Sequence, residues 1–166
     1  MDIDESAPIK ASGSIDIAAP ADDVWAVMTE FHRWQCWNPE IREAKVEGPL
    51  EPGATFRWRS GPGTITSVLR AVDRPRELGW SGKTMGIHAV HVWHLEPTKT
   101  GVRVTTEESW RGWPTRVMRK RMTGTLRDAI TTGLDDLKTE SERRVCWHGG
   151  CAADGRRQAA EVEAVA

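Results

Sequence analysis

Residues 86–110, GIHAVHVWHLEPTKTGVRVTTEESW, decide the fold of this chain, because two arms of alternating polarity flank a short turn. Side chains along a β-strand point alternately to opposite faces. On one face the first arm places Ile87, Ala89, His91, Trp93 and Leu95, and the second arm places Val102, Val104, Thr106, Glu108 and Trp110. With residues 97–100 as the turn, the pattern predicts an antiparallel hairpin that has one apolar face.

Two ionisable residues, His91 and Glu108, lie on this otherwise apolar face. Depending on the register of the hairpin, His91 is opposite Thr106 or Glu108. A buried carboxylate needs a partner, since an isolated charge in an apolar site is costly and otherwise becomes neutral. The pair is therefore interpreted either as a structural contact, with Glu108 alternatively reaching solvent at the strand end, or as part of the lining of a ligand cavity.

Outward from the hairpin, the pattern predicts five more strands and three helices. Alternation and turn residues place strands at 10–18, 41–47, 55–60, 64–72 and 78–82, and helices at 20–30 and 31–38. Residues 114–144 form a single amphipathic helix whose stripe is Met118, Met122, Leu126, Ile130, Leu134 and Leu137. The order of these elements predicts an α+β fold in which an antiparallel sheet of about seven strands packs on a long C-terminal helix.

Composition narrows the range of function classes. The 166 residues include 23 Lys and Arg and 24 Asp and Glu, so nothing predicts a nucleic-acid partner or a membrane footprint. The chain has no apolar run long enough for membrane insertion and no signal peptide, and we therefore expect a cytoplasmic protein. Nine tryptophans, against two phenylalanines and no tyrosine, suit the wall of an organic-ligand pocket, although they suit an ordinary core as well.

Both ends of the chain are expected to lie outside the domain, which spans residues 10–144. Residues 1–9 are predicted to be disordered, and residues 145–166 to form a flexible tail. Cys146, His148 and Cys151 in that tail could supply three ligands to a metal, but no fourth ligand is obvious and the spacing fits no common zinc site. A flexible tail that carries two thiols is the preferred interpretation, and we expect no cofactor.

Several segments resemble the START-like (SRPBCC) superfamily, in particular its polyketide cyclase/dehydrase branch. They are IAAPADDVWAVMTEFHRWQCWNP at 17–39, PGATFRW at 52–58, RPRELGWSGKTMGIHAVHVWHLEP at 74–97 and TGVRVTTEESWRG at 100–112. The resemblance covers about residues 10–144 and implies a helix-grip fold, in which a curved sheet wraps around the long helix and leaves a cavity between them. It is specific for the fold and weak for activity, because one fold supports many functions.

The resemblance implies a hydrophobic small molecule as ligand or substrate, held by a monomer or a homodimer. The side chains expected to line the cavity come from the sheet, the last helix and the short helices: Phe56, Trp58, Trp80, Trp93, Thr106, Trp110, Met118, Met122, Trp34 and Trp37. Core packing is the alternative for each methionine and for the tryptophans.

Cyclisation or dehydration in such a cavity requires a base for an acidic C–H group and a proton donor for the forming enolate. His91 serves as the base with Glu108 orienting it, or the roles reverse if burial raises the pKa of the glutamate. The absence of a shared catalytic motif favours instead a non-catalytic carrier or sensor of a hydrophobic ligand. An interaction module of the Hsp90-activator kind also fits the fold class, but nothing in the sequence indicates a partner surface.

Overall fold

The computed structural model describes residues 1–61 and 63–148, with the backbone alone for His148. In chain order the strands are β1 (Ile9–Ile17), β2 (Ile41–Glu47), β3 (Thr55–Ser60), β4 (Gly63–Asp73), β5 (Glu77–Thr84), β6 (Ile87–Pro97) and β7 (Val102–Gly112). The helices are α1 (Ala21–Thr29), α2 (Trp34–Trp37), α3 (Trp113–Val117) and α4 (Arg119–His148), and a 3-10 turn (Phe31–Arg33) precedes α2.

The seven strands form one antiparallel sheet in the order β1-β7-β6-β5-β4-β3-β2. Register shifts interrupt two of the ladders, between Ile41 and Glu43 in β2 and between Leu69 and Ala71 in β4. Such bulges bend a strand and increase its twist, which suits a curved sheet. The predicted α+β helix-grip architecture is confirmed.

The core lies between the inner face of this sheet and the helices. From α4 it receives Leu126, Ile130, Leu134 and Leu137, and from α1 it receives Val24, Trp25, Val27 and Met28. The apolar stripe of residues 126–137 therefore packs as its spacing predicts. Because these side chains remove a continuous apolar surface from water, they supply the main driving force that holds α4 against the sheet.

The predicted single helix over residues 114–144 is divided in the structure. A short α3 ends at Val117, and Met118 adopts φ −114° and ψ 29° before α4 begins at Arg119. The side chain of Met118 is 44% exposed, so the first member of the predicted stripe lies on the surface. The break between α3 and α4 could not be predicted from the sequence, because Met118 and Met122 keep the four-residue spacing of a continuous helix.

The N-terminal residues differ from the expected disorder. The backbone N–H of Asp4 donates to Ser109 Oγ at 3.0 Å, and the carboxylate of Asp4 pairs with Arg111 at 3.0 Å. Ala7 is buried, and residues 1–8 lie across the outer face of the central strands, where Ser109 and Val92 are almost completely covered. Residues 1–8 therefore pack on a face of the sheet that strand alternation alone assigned to solvent.

The expected tail is only partly described. α4 continues to His148, so residues 145–148 extend the helix by one turn beyond the predicted boundary. The candidate ligand Cys151 lies outside the described residues, as does the remainder of the tail. Among the residues that the structure describes, no cluster of His, Cys, Asp and Glu is arranged to hold a metal ion.

Candidate functional site

The candidate site is built on the inner face of three central strands, β5, β6 and β7. The ladder between β6 and β7 places His91 directly opposite Glu108, and the ladder between β5 and β6 places Trp80 opposite His91. Of the two registers that the sequence allowed, the structure therefore has the one that brings the two ionisable residues together. Both side chains are largely buried, with 13% of His91 and 15% of Glu108 exposed.

Hydrogen bonds fix the imidazole of His91 in one tautomer. The hydroxyl group of Thr106 donates its only proton to the carbonyl oxygen of Val92, at 3.1 Å. The same hydroxyl lies 2.7 Å from His91 Nε2 and must therefore act as the acceptor there. His91 thus carries a proton on Nε2, and burial lowers its pKa to about 3, which keeps the ring neutral and leaves Nδ1 unprotonated.

The unprotonated Nδ1 atom faces the carboxyl group of Glu108. The distance from His91 Nδ1 to Glu108 Oε2 is 3.4 Å, longer than a well-formed hydrogen bond. The other carboxyl oxygen, Oε1, accepts the indole N–H of Trp110 at 2.7 Å. Burial raises the pKa of Glu108 to about 7, and the hydrogen bond from Trp110 opposes this rise.

The tautomer of His91 raises the pKa of Glu108, as burial does. An ionised carboxylate would face the lone pair of Nδ1, which is unfavourable, whereas a protonated carboxyl group can donate to that lone pair. Below about pH 7 the pair therefore holds two protons, one on Nε2 of His91 and one on Glu108, and Glu108 loses its proton as the pH rises through about 7.

Aromatic rings surround the pair on its sheet side. The ring of Trp93 stacks on His91 with centroids 5.0 Å apart, and the ring of Trp80, on the neighbouring strand β5, lies 4.7 Å from His91. The indole N–H of Trp93 is buried and has no hydrogen-bond partner in the described part of the chain, and the same holds for Trp37. A buried donor without a partner is uncommon in folded proteins.

The remaining predicted lining residues divide into two groups. Phe56 and Trp80 are buried and, with Phe31 and Trp34, form ring contacts between 4.7 and 6.0 Å, so this part of the interior is filled. Trp58 joins this cluster through Trp34 and donates its indole N–H to Ser67. Met122 and Trp37 pack partly buried against the core, whereas Met118 is on the surface.

The single cavity that was expected to be lined by Trp58, Trp80, Trp93 and Trp110 stays a prediction. Two surface clefts of about 420 Å³ each lie elsewhere. One is at the outer end of β5 and β6, beside Glu77 and His94, and the other is on β2 and β3, beside Glu43 and Trp58. Neither contains His91 or Glu108.

Sequence reasoning missed two features of this site. It did not foresee that Phe31 would join Trp34 in filling the interior, because a helical pattern shows that a residue faces inward but does not show what it touches. It placed Thr106 in the lining of the cavity, whereas the hydroxyl group accepts a hydrogen bond from His91. The adjacency of Thr106 and Glu108 on one strand face was the signal that indicated a polar cluster.

The comparisons with known proteins agree with this architecture. Residues 8–142 match the family described as "Polyketide cyclase / dehydrase and lipid transport". No protein in the curated set is a significant match. Similar solved structures include the Zhui aromatase/cyclase from Streptomyces sp. R1128, which has a TM-score of 0.69 and 16% identity over 82% of this chain and 94% of that one.

Two further solved structures are similar to this chain in fold. The di-domain aromatase/cyclase StfQ, from the steffimycin biosynthetic pathway, has a TM-score of 0.70 and 15% identity, and the match covers 82% of this chain but 51% of StfQ. A START superfamily protein from Mycobacterium smegmatis has a TM-score of 0.66 and 14% identity, over 81% of this chain and 97% of that one. At such identities the likeness establishes a shared fold.

Proposed function

The chain belongs to the polyketide cyclase/dehydrase and lipid transport family, and from that premise we propose that it binds a hydrophobic, polyketide-like molecule and promotes its cyclisation or dehydration by acid–base catalysis. The observation that carries the proposal is the largely buried His91–Glu108 pair on the inner face of the sheet, beside an indole N–H of Trp93 that has no partner in the described residues. We expect a soluble, cytoplasmic protein that needs no cofactor for this chemistry.

The geometry favours Glu108 as the catalytic residue and His91 as a positioning residue. Nε2 of His91 is engaged by Thr106 and Nδ1 faces Glu108, so neither ring nitrogen is directed to a substrate. Each carboxyl oxygen of Glu108 can still accept or donate a further hydrogen bond. A carboxyl group whose pKa lies near 7 is suited to both accepting and donating a proton at neutral pH.

The proposed chemistry conserves atoms and charge. The carboxylate form of Glu108 removes a proton from a carbon between two carbonyl groups, and the resulting enolate attacks a ketone carbon of the same chain. The new alkoxide takes the proton back from Glu108, and loss of water then gives an unsaturated ring. The N–H of Trp93 supplies a hydrogen bond to a carbonyl oxygen, and the aromatic walls hold the chain in a folded conformer.

A non-catalytic carrier or sensor of a hydrophobic ligand is the second candidate function. The observation that favours it is that both nitrogens of His91 already have protein neighbours, as a purely structural pair would. The family description also includes lipid transport. In that case the pair fixes the shape of the site, and no proton is exchanged with the ligand.

Turnover of a linear poly-β-ketone thioester, followed by mass spectrometry as the appearance of cyclised and dehydrated products, tests the proposal. We expect Glu108→Gln to lower the rate by about 100-fold or more, typical of a lost acid–base group. His91→Ala should cause a comparable loss, and the double variant should lose little more, because members of one unit fail together.

Glu107→Gln is the matched control, since Glu107 is the neighbouring residue on the outer face of β7 and should leave the rate unchanged. Circular dichroism separates loss of chemistry from loss of folding, because removal of one member of a buried pair can cost several kcal/mol. A folded Glu108→Gln protein with the wild-type rate would exclude acid–base catalysis by this pair. A wild-type protein that binds the thioester but leaves it unchanged would be a carrier.

A further inference from the structure

One segment of the chain combines positive charge with apolar side chains. Between residues 111 and 127 there are six basic residues and no acidic one, although the net charge of the whole chain is −1. The apolar members of the same segment include Trp113, Val117 and Met118. Elsewhere on the surface several basic side chains form ion pairs with acidic ones, as Lys10, Arg74, Arg103 and Lys138 do.

The apolar side chains of this segment are strongly exposed. Trp113 is 71% exposed and Val117 75%, and they lie four residues apart on α3, so they share one helix face. Met85, 69% exposed, is in the turn between β5 and β6, and the indole of Trp113 lies against Gly86 of the same turn. With Met118, which directly follows Val117 and is 44% exposed, these residues make up an exposed apolar surface.

Four basic side chains border this apolar surface: Arg116, Arg119, Lys120 and Arg121, all exposed. None of them has an acidic partner among the residues that the structure describes. The last three occupy the first turn of α4, where positive charge opposes the helix dipole and lowers helix stability. We call Met85, Trp113, Val117 and Met118, with these four basic residues, the apolar–basic tip.

We propose that the apolar–basic tip binds the surface of an anionic lipid bilayer. Aliphatic, thioether and indole groups would enter the interfacial region, where tryptophan is favoured, while the four cations contact lipid phosphates. The arrangement is one of surface binding, since no described helix is long and apolar enough to cross a membrane. The proposal is independent of the catalytic proposal, because it uses none of the residues of the candidate site.

Vesicle flotation tests this binding with the full chain. We expect the protein to float with vesicles of phosphatidylcholine and phosphatidylglycerol and to stay largely free with phosphatidylcholine alone, and we expect added salt to weaken the binding. The double variant Arg119→Gln/Lys120→Gln should reduce the partition coefficient roughly 10-fold or more, given the contribution of each cation near an anionic surface. Trp113→Ala should also reduce it.

The double variant Arg57→Gln/Arg59→Gln is the matched control, because it removes two exposed positive charges from β3. It should keep nearly the wild-type partition coefficient. An equal loss in both double variants would show attraction by overall charge and would overturn the assignment of the tip. Absence of binding to the anionic vesicles would overturn the proposal as a whole.

Discussion

At the scale of single residues, the central feature is a buried carboxyl group, whose pKa is raised to about 7, beside an imidazole that burial keeps neutral. The hydroxyl group of Thr106 is decisive, because its hydrogen bond to the carbonyl of Val92 leaves it able only to accept from His91. One threonine thus determines which nitrogen of the imidazole faces Glu108. Substituting either ionisable residue therefore changes the proton arrangement of the whole cluster, not one contact.

The raised pKa of Glu108 predicts a pH-dependent difference between the wild type and Glu108→Gln. In the folded state the pKa rises from 4.5 to about 7, so the ionised form is disfavoured and the carboxyl group costs stability as pH rises through this window. The rise corresponds to about 3 kcal/mol. Glutamine resembles the neutral carboxyl group at every pH and does not carry this cost.

Urea denaturation near pH 4 and near pH 8 measures the effect. Relative to the wild type, Glu108→Gln should gain roughly 3 kcal/mol of unfolding free energy at the higher pH. Glu107→Gln should show no comparable change. A pH-independent difference between wild type and Glu108→Gln would mean that Glu108 has an ordinary pKa and is ionised in the folded protein.

At the scale of elements, the approach of α4 to β1 depends on a glycine. A Cβ atom at Gly13 would lie 2.9 Å from Leu134 Cδ1 and 3.0 Å from Ile130 Cγ2. Both neighbours belong to the buried stripe of α4 and have little freedom to move away. In α4 itself, by contrast, Gly124 and Gly133 have nothing within 4 Å of an added Cβ, so they are not sites of close contact.

Replacing glycine with alanine at positions 13 and 133 should change the unfolding free energy in opposite directions. Gly13→Ala should lower the unfolding free energy by about 1–3 kcal/mol, because the methyl group overpacks the interface between β1 and α4. Gly133→Ala should raise it by about 1 kcal/mol, because alanine is the better helix former and the site is open. Thermal unfolding of the two variants tests both signs, and a neutral Gly13→Ala would show that α4 can shift outward at little cost.

How much of the structure the sequence predicts also depends on the element. Alternation in residues 86–110 predicts the inward face and, within two alternatives, the register that joins His91 to Glu108, because strand geometry leaves few choices. It does not predict the break at Met118, since one non-helical residue leaves the four-residue spacing intact. It also does not predict the packing of residues 1–8 on the outer face, where a short polar segment has no periodicity to read.

At the scale of the whole molecule, the interior has one region that is filled by aromatic rings and one that is partly exposed to solvent. The rings of Phe31, Trp34, Phe56 and Trp80 fill one region of the interior, whereas His91 and Glu108 retain some exposure in the next. A ligand of the proposed class is therefore expected near β6 and β7. The alternation of tryptophans along the strands indicated an aromatic interior but could not distinguish rings that touch each other from rings that line a space.

Binding of 9-fluorenone, a polycyclic aromatic ketone, tests this division of the interior. We expect it to quench the intrinsic fluorescence of the protein, because its ring system would stack beside Trp93 and its carbonyl oxygen would accept the unpaired indole N–H. Trp93→Phe keeps an aromatic ring but removes the donor, and loss of one hydrogen bond should weaken binding roughly 5-fold. Trp147→Phe, at an exposed position near the end of α4, should bind as the wild type does. Equal affinity of the two variants would place the ketone away from Trp93, and absence of quenching in the wild type would mean that the interior is a filled core, in which the polar cluster around His91 serves stability alone.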